Sequence, residues 1–154
     1  MALTPSLLVA GNAEEMANYY ADVFPDGEII DIFRAPGPDG TEVVITANIV
    51  ISESPLLLIN GTDRNTFTDA FSLVINCEDQ DEVDHFWNRF VGDGGEEIAC
   101  GWCKDKFGFH WQVTPEEMPS LLQDPDPDRA RRAMQAMMGM KKLDLAAMKA
   151  AMDS

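Results

Sequence analysis

The 154-residue chain reads as an α+β fold, two βαβββ-type modules forming mixed sheets around a concave cleft, with a C-terminal helical extension. Three observations predict it. A capping residue followed three positions on by Glu occurs twice, at Asn12 with Glu15 and at Asp79 with Glu82, an arrangement that satisfies orphan amides at a helix start. Each capping pair opens an apolar stripe of helical spacing: Met16, Tyr19, Tyr20, Val23 and Phe24 in one copy, Val83, Phe86, Trp87, Phe90 and Val91 in the other. Asn12 to Asp79 and Met16 to Val83 are both 67 positions apart, so the two stretches are copies of one unit.

Taken in order, the first copy starts with a short apolar strand at 7–10, followed by its helix. Three further strands are expected at 28–34, 42–51 and 55–60, with Pro36-Gly37-Pro38-Asp39-Gly40 as the turn between the first two. In the second copy a strand at 71–75 precedes the helix, and strand-like runs at 96–104 and 107–114 follow. One strand is missing or very short there, within 94–98. A strand, a helix and three strands, repeated, pack helices on one sheet face and leave a hollow on the other, the natural place for a ligand. Beyond Pro115, Asp124-Pro-Asp-Pro-Asp128 forms a stiff turn and a helix cap. Ala130, Ala133, Met134, Met137 and Met138 then form an apolar stripe ended by Gly139 or the residues after it, and a second short helix starts at Asp144. The expected organisation is module one at 1–66, module two at 67–115 and a helical tail at 116–154, which together make one domain. The tail holds seven of the nine methionines, suited to adaptable packing over the sheet or on a second subunit.

Composition excludes several classes of function. With 45% hydrophobic and 25% charged residues this is an ordinary globular composition. Twenty-seven acidic against eleven basic residues give a formal charge of −16, which repels phosphate backbones and anionic membranes alike, so nucleic acid and membrane are not expected partners. The first ten residues lack a basic start, and no apolar stretch approaches the roughly 20 residues of a membrane helix. The three cysteines, Cys77, Cys100 and Cys103, are odd in number and too few for a disulfide framework, which points to a reducing cytoplasm.

The segment Cys100-Gly101-Trp102-Cys103 has the spacing of a redox pair, but a strand-like run holds the two alpha carbons roughly 10 Å apart, beyond disulfide reach, unless a turn falls at Gly101-Trp102. Two cysteines are also too few for structural zinc. The stretch from Gly101 to Gln112 reads as a tight hairpin whose second strand puts His110 and Gln112 on one face and Phe109, Trp111 and Val113 on the other, against the helices. The same alternation places Ser72, Val74, Cys100 and Trp102 toward the hollow. His85 lies on a helix flank and is expected to be exposed.

Gly11-Asn12-Ala13-Glu14-Glu15, the Asn60-Gly61 turn, Cys77-Glu78-Asp79-Gln80-Asp81-Glu82-Val83-Asp84, the Cys100 to Gln112 hairpin and the Asp124-Pro-Asp-Pro tail together resemble the PhnB-like branch of the vicinal oxygen chelate superfamily, which includes glyoxalases, extradiol dioxygenases and bleomycin-resistance proteins. The likeness spans nearly the whole chain. Related sequences are often labelled demethylubiquinone methyltransferases, yet no glycine-rich strand-to-helix turn for a nucleoside cofactor is visible here. The resemblance implies a divalent ion held by His and Glu from both modules, acting as a Lewis acid on vicinal oxygens. Counted from the helix caps, the two His positions fall at Pro5 and Ser72, and the Glu position falls at Gln112. None supplies the expected ligand, so neither a tightly held metal nor another cofactor is expected.

By the resemblance Asn60 lies near the rim of the cleft, and the ligand-binding residues are expected to be Ser72, Trp102, His110, Gln112 and Asn60. Such a lining suits a small, partly aromatic or amphipathic molecule. Two functions follow. One is a metal-free small-molecule-binding protein, and the other is a superfamily enzyme using a rearranged metal site or His110 as acid-base. Proteins of this kind often pair, so a homodimer is expected.

Overall fold

The computed structural model describes residues 3–154, in two units, one ending at Thr66 and the other beginning at Phe67. The first unit runs β1 (Ser6–Val9), α1 (Ala13–Val23), β2 (Glu28–Pro36), β3 (Glu42–Ile51) and β4 (Ser54–Asn60). Its sheet has the order β1-β4-β3-β2, with β1 parallel to β4 and the other pairs antiparallel. The second unit runs β5 (Leu73–Cys77), α2 (Gln80–Gly92), β6 (Glu96–Glu97), β7 (Trp102–Lys104) and β8 (His110–Pro115), followed by α3 (Met118–Leu122), α4 (Pro127–Met138) and α5 (Leu145–Met152). Its sheet order, β5-β8-β7-β6, repeats the first, again with the outer pair parallel. The 67-residue offset is therefore a repeat of topology: β1 and β5 start at Ser6 and Leu73, α1 and α2 at Ala13 and Gln80. The short strand expected near 94–98 is β6.

First-unit strands end within two residues of expectation, but in the second unit the boundaries differ more, and the run expected at 107–114 begins only at His110. The run expected at 71–75 begins only at Leu73, because pairing with β8 starts there, opposite Trp111. The run expected at 96–104 is broken into β6 and β7 by a turn in which Trp102 N donates to Ala99 O (2.9 Å). Cys100 (φ 54°) and Gly101 (φ 84°) are its central residues, and two positive φ values in succession make the tight hairpin turn whose twist matches its strands.

In the first unit α1 buries Met16, Ala17, Tyr20 and Val23 against strand residues that include Val9, Ala47, Ile49, Leu56 and Leu58. Full burial of each large apolar side chain stabilises by about 1.5–3 kcal/mol. The cap of α1 differs from the sequence expectation. Asn12 makes no side-chain capping bond, and its Oδ1 is buried without a partner. Instead Ala13 N donates to Asn60 Oδ1 (2.8 Å), while Asn60 Nδ2 donates to Val44 O (2.8 Å). The parallel β1–β4 register sets Asn60 beside Val9, and so brings a side chain distant in sequence to the helix start. In α2 the local cap forms as expected: Glu82 N donates to Asp79 (3.0 Å), and Glu78 N donates to the Glu82 carboxylate (2.8 Å).

The second core packs Val83, Phe86, Trp87 and Phe90 of α2 with Ile75, Cys77, Cys103, Trp111 and Val113 of the sheet. Phe90 stacks on Trp111 at 4.7 Å between ring centroids, and Phe109 meets Trp111 edge-on. The tail caps form where expected, at Asp126 for α4 and Asp144 for α5. The α4 stripe is rotated from the expected one. Ala133 and Met137 pack with Ala136, Met140, Leu121, Met148 and Met152, but Met134 and Met138 are 40% and 67% exposed. The reason is that α3 and α5 together cover the face centred on the small Ala133, leaving the Met134–Met138 edge outside it.

Candidate ligand cleft

The β7–β8 hairpin is held by a buried carboxylate. Asp105, 2% exposed, accepts hydrogen bonds from Phe107 N (2.9 Å) and Phe109 N (3.1 Å) at one oxygen and from Trp111 Nε1 (2.8 Å) at the other. Such charge-assisted bonds are about twice as strong as neutral ones and compensate the burial of the charge. Gly108, at φ 81°, completes the loop. Sequence reasoning did not single out Asp105; the signal was an Asp three residues before a Gly at a hairpin turn, with a strand Trp beyond.

From this anchor the strands alternate. Cys103 opposite Trp111, with Val113, faces the core, while Trp102 opposite Gln112 and Lys104 opposite His110 share the other face, as the sequence parity predicts. A cleft of about 410 Å³ on that side is lined by Asp69, Glu96, Ile98, Trp102, Lys104 and His110. Lys104 Nζ pairs with Glu96 at 3.0 Å. His110 is only 5% exposed, and its Nδ1 is buried with no hydrogen-bond partner. A buried imidazole nitrogen without a partner is costly and is the kind of group a site retains.

The five residues expected to bind a ligand separate into three groups. Trp102 and His110 line the cleft. Ser72 and Gln112 are joined to each other, Gln112 Nε2 donating to Ser72 Oγ at 3.0 Å. Asn60 belongs to the first unit, where it bridges Ala13 and Val44. Asp69, Glu96, Ile98 and Lys104 are lining residues that sequence reasoning missed: Asp69 and Ile98 lie outside the strands, Glu96 lies in a strand too short to announce its parity, and Lys104 shares the parity of Trp102, the signal that could have found it.

The residues present do not fit a divalent ion at the positions the resemblance indicates. Ser72 and Gln112 offer a hydroxyl and an amide already committed to one another, and Pro5 contributes only its carbonyl, which accepts from Leu57 N (3.0 Å). Among the described residues, no three His, Cys, Asp or Glu side chains gather where they would hold a metal.

Cys100 and Cys103 are both free thiols, and Cys103 is not activated as a redox cysteine would be. Cys100 sits on the β6–β7 turn rather than facing the hollow from a strand, so its expected orientation is corrected. Its amide donates to Met140 O (2.8 Å), and that of Gly101 donates to Lys141 O (2.8 Å), fastening the turn to the tail. Cys103 is buried, and desolvation, reinforced by the nearby Asp105 charge, pushes its thiol up to about 12. A redox cysteine needs the opposite shift, since the thiolate is the reactive form.

The model of the 3-demethylubiquinone-9 3-methyltransferase family matches residues 1–114. Among solved structures, the chain is similar to a putative 3-demethylubiquinone-9 3-methyltransferase, PhnB protein, from Bacillus cereus: 30% identity, 75% of this chain and 99% of that one covered, TM-score 0.65. Protein PA1353 from Pseudomonas aeruginosa matches at 18% identity over 75% of this chain and 98% of its own, with TM-score 0.64. The fosfomycin resistance protein FosX from Listeria monocytogenes matches at 13% identity over 75% and 90%, with TM-score 0.54. The last two likenesses concern the fold alone. No curated protein matches the chain.

Proposed function

The chain belongs to the PhnB-like 3-demethylubiquinone-9 3-methyltransferase family, within the vicinal oxygen chelate superfamily, and on that premise we propose that it is a metal-free small-molecule-binding protein. The observation that carries the proposal is the Gln112–Ser72 hydrogen bond of 3.0 Å. It occupies two of the positions at which the superfamily resemblance calls for metal ligands and replaces them with neutral groups that satisfy one another. The fold itself accommodates a cation, since FosX is described complexed with Mn(II). What differs here is the donor chemistry, because a neutral amide and a hydroxyl bind a divalent ion far less well than carboxylate and imidazole.

The ligand-binding residues of this reading are Trp102 and His110 in the cleft, Gln112 on the same sheet, Ser72 just ahead of β5 and, within the first unit by itself, Asn60. Methyl transfer has less support. The β1–α1 turn carries a single glycine, Gly11, and the β5–α2 turn carries none, which is a poor fit to a nucleoside-bound methyl donor. The acid-base alternative rests on His110 alone. One imidazole whose Nδ1 is sealed from the cleft has no second group to orient it.

Metal analysis of the purified, dialysed protein tests the reading. Less than stoichiometric divalent metal is expected, with no change of Tm on chelation. A near-stoichiometric ion whose removal lowers Tm refutes it. A thermal-shift screen of small metabolites then seeks the ligand, and a positive shift that disappears in Trp102→Ala is expected.

Two further parts of the proposal concern setting and assembly. Cys77, Cys100 and Cys103 are all free, which supports a reducing cytoplasm. No helix among the described residues is long and apolar enough to cross a membrane. The protein is a homodimer, and light scattering is expected to give about 34 kDa, twice the 17.0 kDa chain mass; a mass near 17.0 kDa refutes it.

A further inference from the structure

We infer that the second-unit cleft takes a planar organic molecule that carries an acceptor oxygen and is neutral or cationic, and that it disfavours anions. The inference rests on the small-molecule-binding reading above and names the class of ligand.

Three observations carry it. The first is the ring of His110. Its Nδ1 is sealed from solvent with no acceptor in reach, so a proton placed there would be an orphaned buried donor. The neutral ring therefore carries its proton on Nε2, the only nitrogen left to meet a ligand, and it donates. A donating wall residue, 5% exposed, selects a carbonyl or hydroxyl oxygen as its partner.

The second observation is the apolar wall. Trp102 and Ile98 line the same cleft, and an indole face binds flat, polarisable bodies and attracts cations through its quadrupole.

The third observation is the charge. The lining holds two carboxylates, Asp69 and Glu96, against one ammonium, Lys104, which Glu96 already engages at 3.0 Å. An anion entering the cleft would have to draw Lys104 from Glu96 and leave two carboxylates facing it. Opening that pair changes the partners but not the sum, which stays one negative charge. The chain charge of −16 adds a repulsive long-range field for anions and an attractive one for cations.

Three probes sharing one aromatic carboxamide body test the class: 4-(aminomethyl)benzamide, benzamide and 4-carbamoylbenzoate. Each is titrated into the full chain, with the Trp102 indole N–H followed by NMR and assigned with Trp102→Phe. The cationic probe is expected to bind about threefold tighter than the neutral one, and the neutral about threefold tighter than the anionic, the range of exposed charge pairs. Asp69→Asn, at an exposed position, should bring the first two together. If the carboxylate binds best, or all three bind equally, the class is wrong while the cleft still binds small molecules. If none moves the Trp102 signal, the class is overturned, and the cleft reading falls with it only if the metabolite screen is also blank.

Discussion

Replacing Asp105 with Ala removes the group on which the β7–β8 hairpin is built, and the size of the loss follows from its partners. Phe109 N and Trp111 Nε1 are buried donors that Asp105 accepts from, while Phe107 N is half-buried and regains water. Each buried donor left unpaired costs about 1–3 kcal/mol, or about 2–6 kcal/mol for two. Removing the buried charge returns part of this, because desolvating a carboxylate is itself unfavourable. The expected net loss is about 2–4 kcal/mol, which for a chain of this size lowers Tm by about 5–15 °C. Asp105→Asn retains one acceptor for the two amides but turns an N–H toward the indole N–H, so it should lose about 1–3 kcal/mol. Urea denaturation followed by far-UV circular dichroism measures both. A double-mutant cycle with Trp111→Phe isolates the indole bond, with an expected coupling of about 1–3 kcal/mol. A loss below about 1 kcal/mol for Asp105→Ala, or coupling near zero, would refute the assignment of Asp105 as the anchor of the hairpin.

Other outcomes follow from the same geometry. Gly101→Ala places a Cβ 2.8 Å from Val113 O and 2.9 Å from Leu143 Cδ1 at φ 84°, whereas at Gly108, φ 81°, the space is open. Strain alone predicts about 1 kcal/mol for Gly108→Ala, and strain with overpacking about 2–4 kcal/mol for Gly101→Ala, measured by denaturation. Leu143→Ala, at a fully buried position, should cost about 2–5 kcal/mol and accelerate hydrogen exchange at the Cys100 and Gly101 amides bonded to the neighbouring tail; unchanged exchange would show that the tail does not hold the turn. Burial pushes the Cys77 and Cys103 thiols well above the ordinary thiol range, up to about 12. Iodoacetamide should therefore add once to the native protein, at half-buried Cys100, and three times after unfolding, as read by mass spectrometry. The unfolded thiols ionise above about pH 9 and the folded ones do not, so this contribution to stability is complete below about pH 9 and is lost as pH rises toward about 12. Alkaline denaturation of Cys103→Ser should show a shallower decline.

How much was legible in the chain depends on the range of the forces involved. The two helix stripes, the caps at Asp79, Asp126 and Asp144, and the 67-residue repeat are patterns of neighbours. Helical spacing and side-chain capping act within one or two turns, and the structure repeats them nearly position for position. The parity of Trp102, His110 and Gln112 was legible for the same reason, since pleating alternates side chains whatever the partner strand.

What only the tertiary structure decided involves partners distant in the chain. Asn60 rather than Asn12 caps α1 because a parallel strand register brings it there. The rotation of the α4 stripe depends on where α3 and α5 lie, and periodicity within one helix does not specify which neighbour covers it. The cleft shows the same division. Its indole and imidazole came from strand parity, but its charges, Asp69, Glu96 and Lys104, meet only once a two-residue strand has paired and a tight turn has been fastened to the tail. Local chemistry thus determined the elements and their faces, while long-range register determined which faces enclose a site.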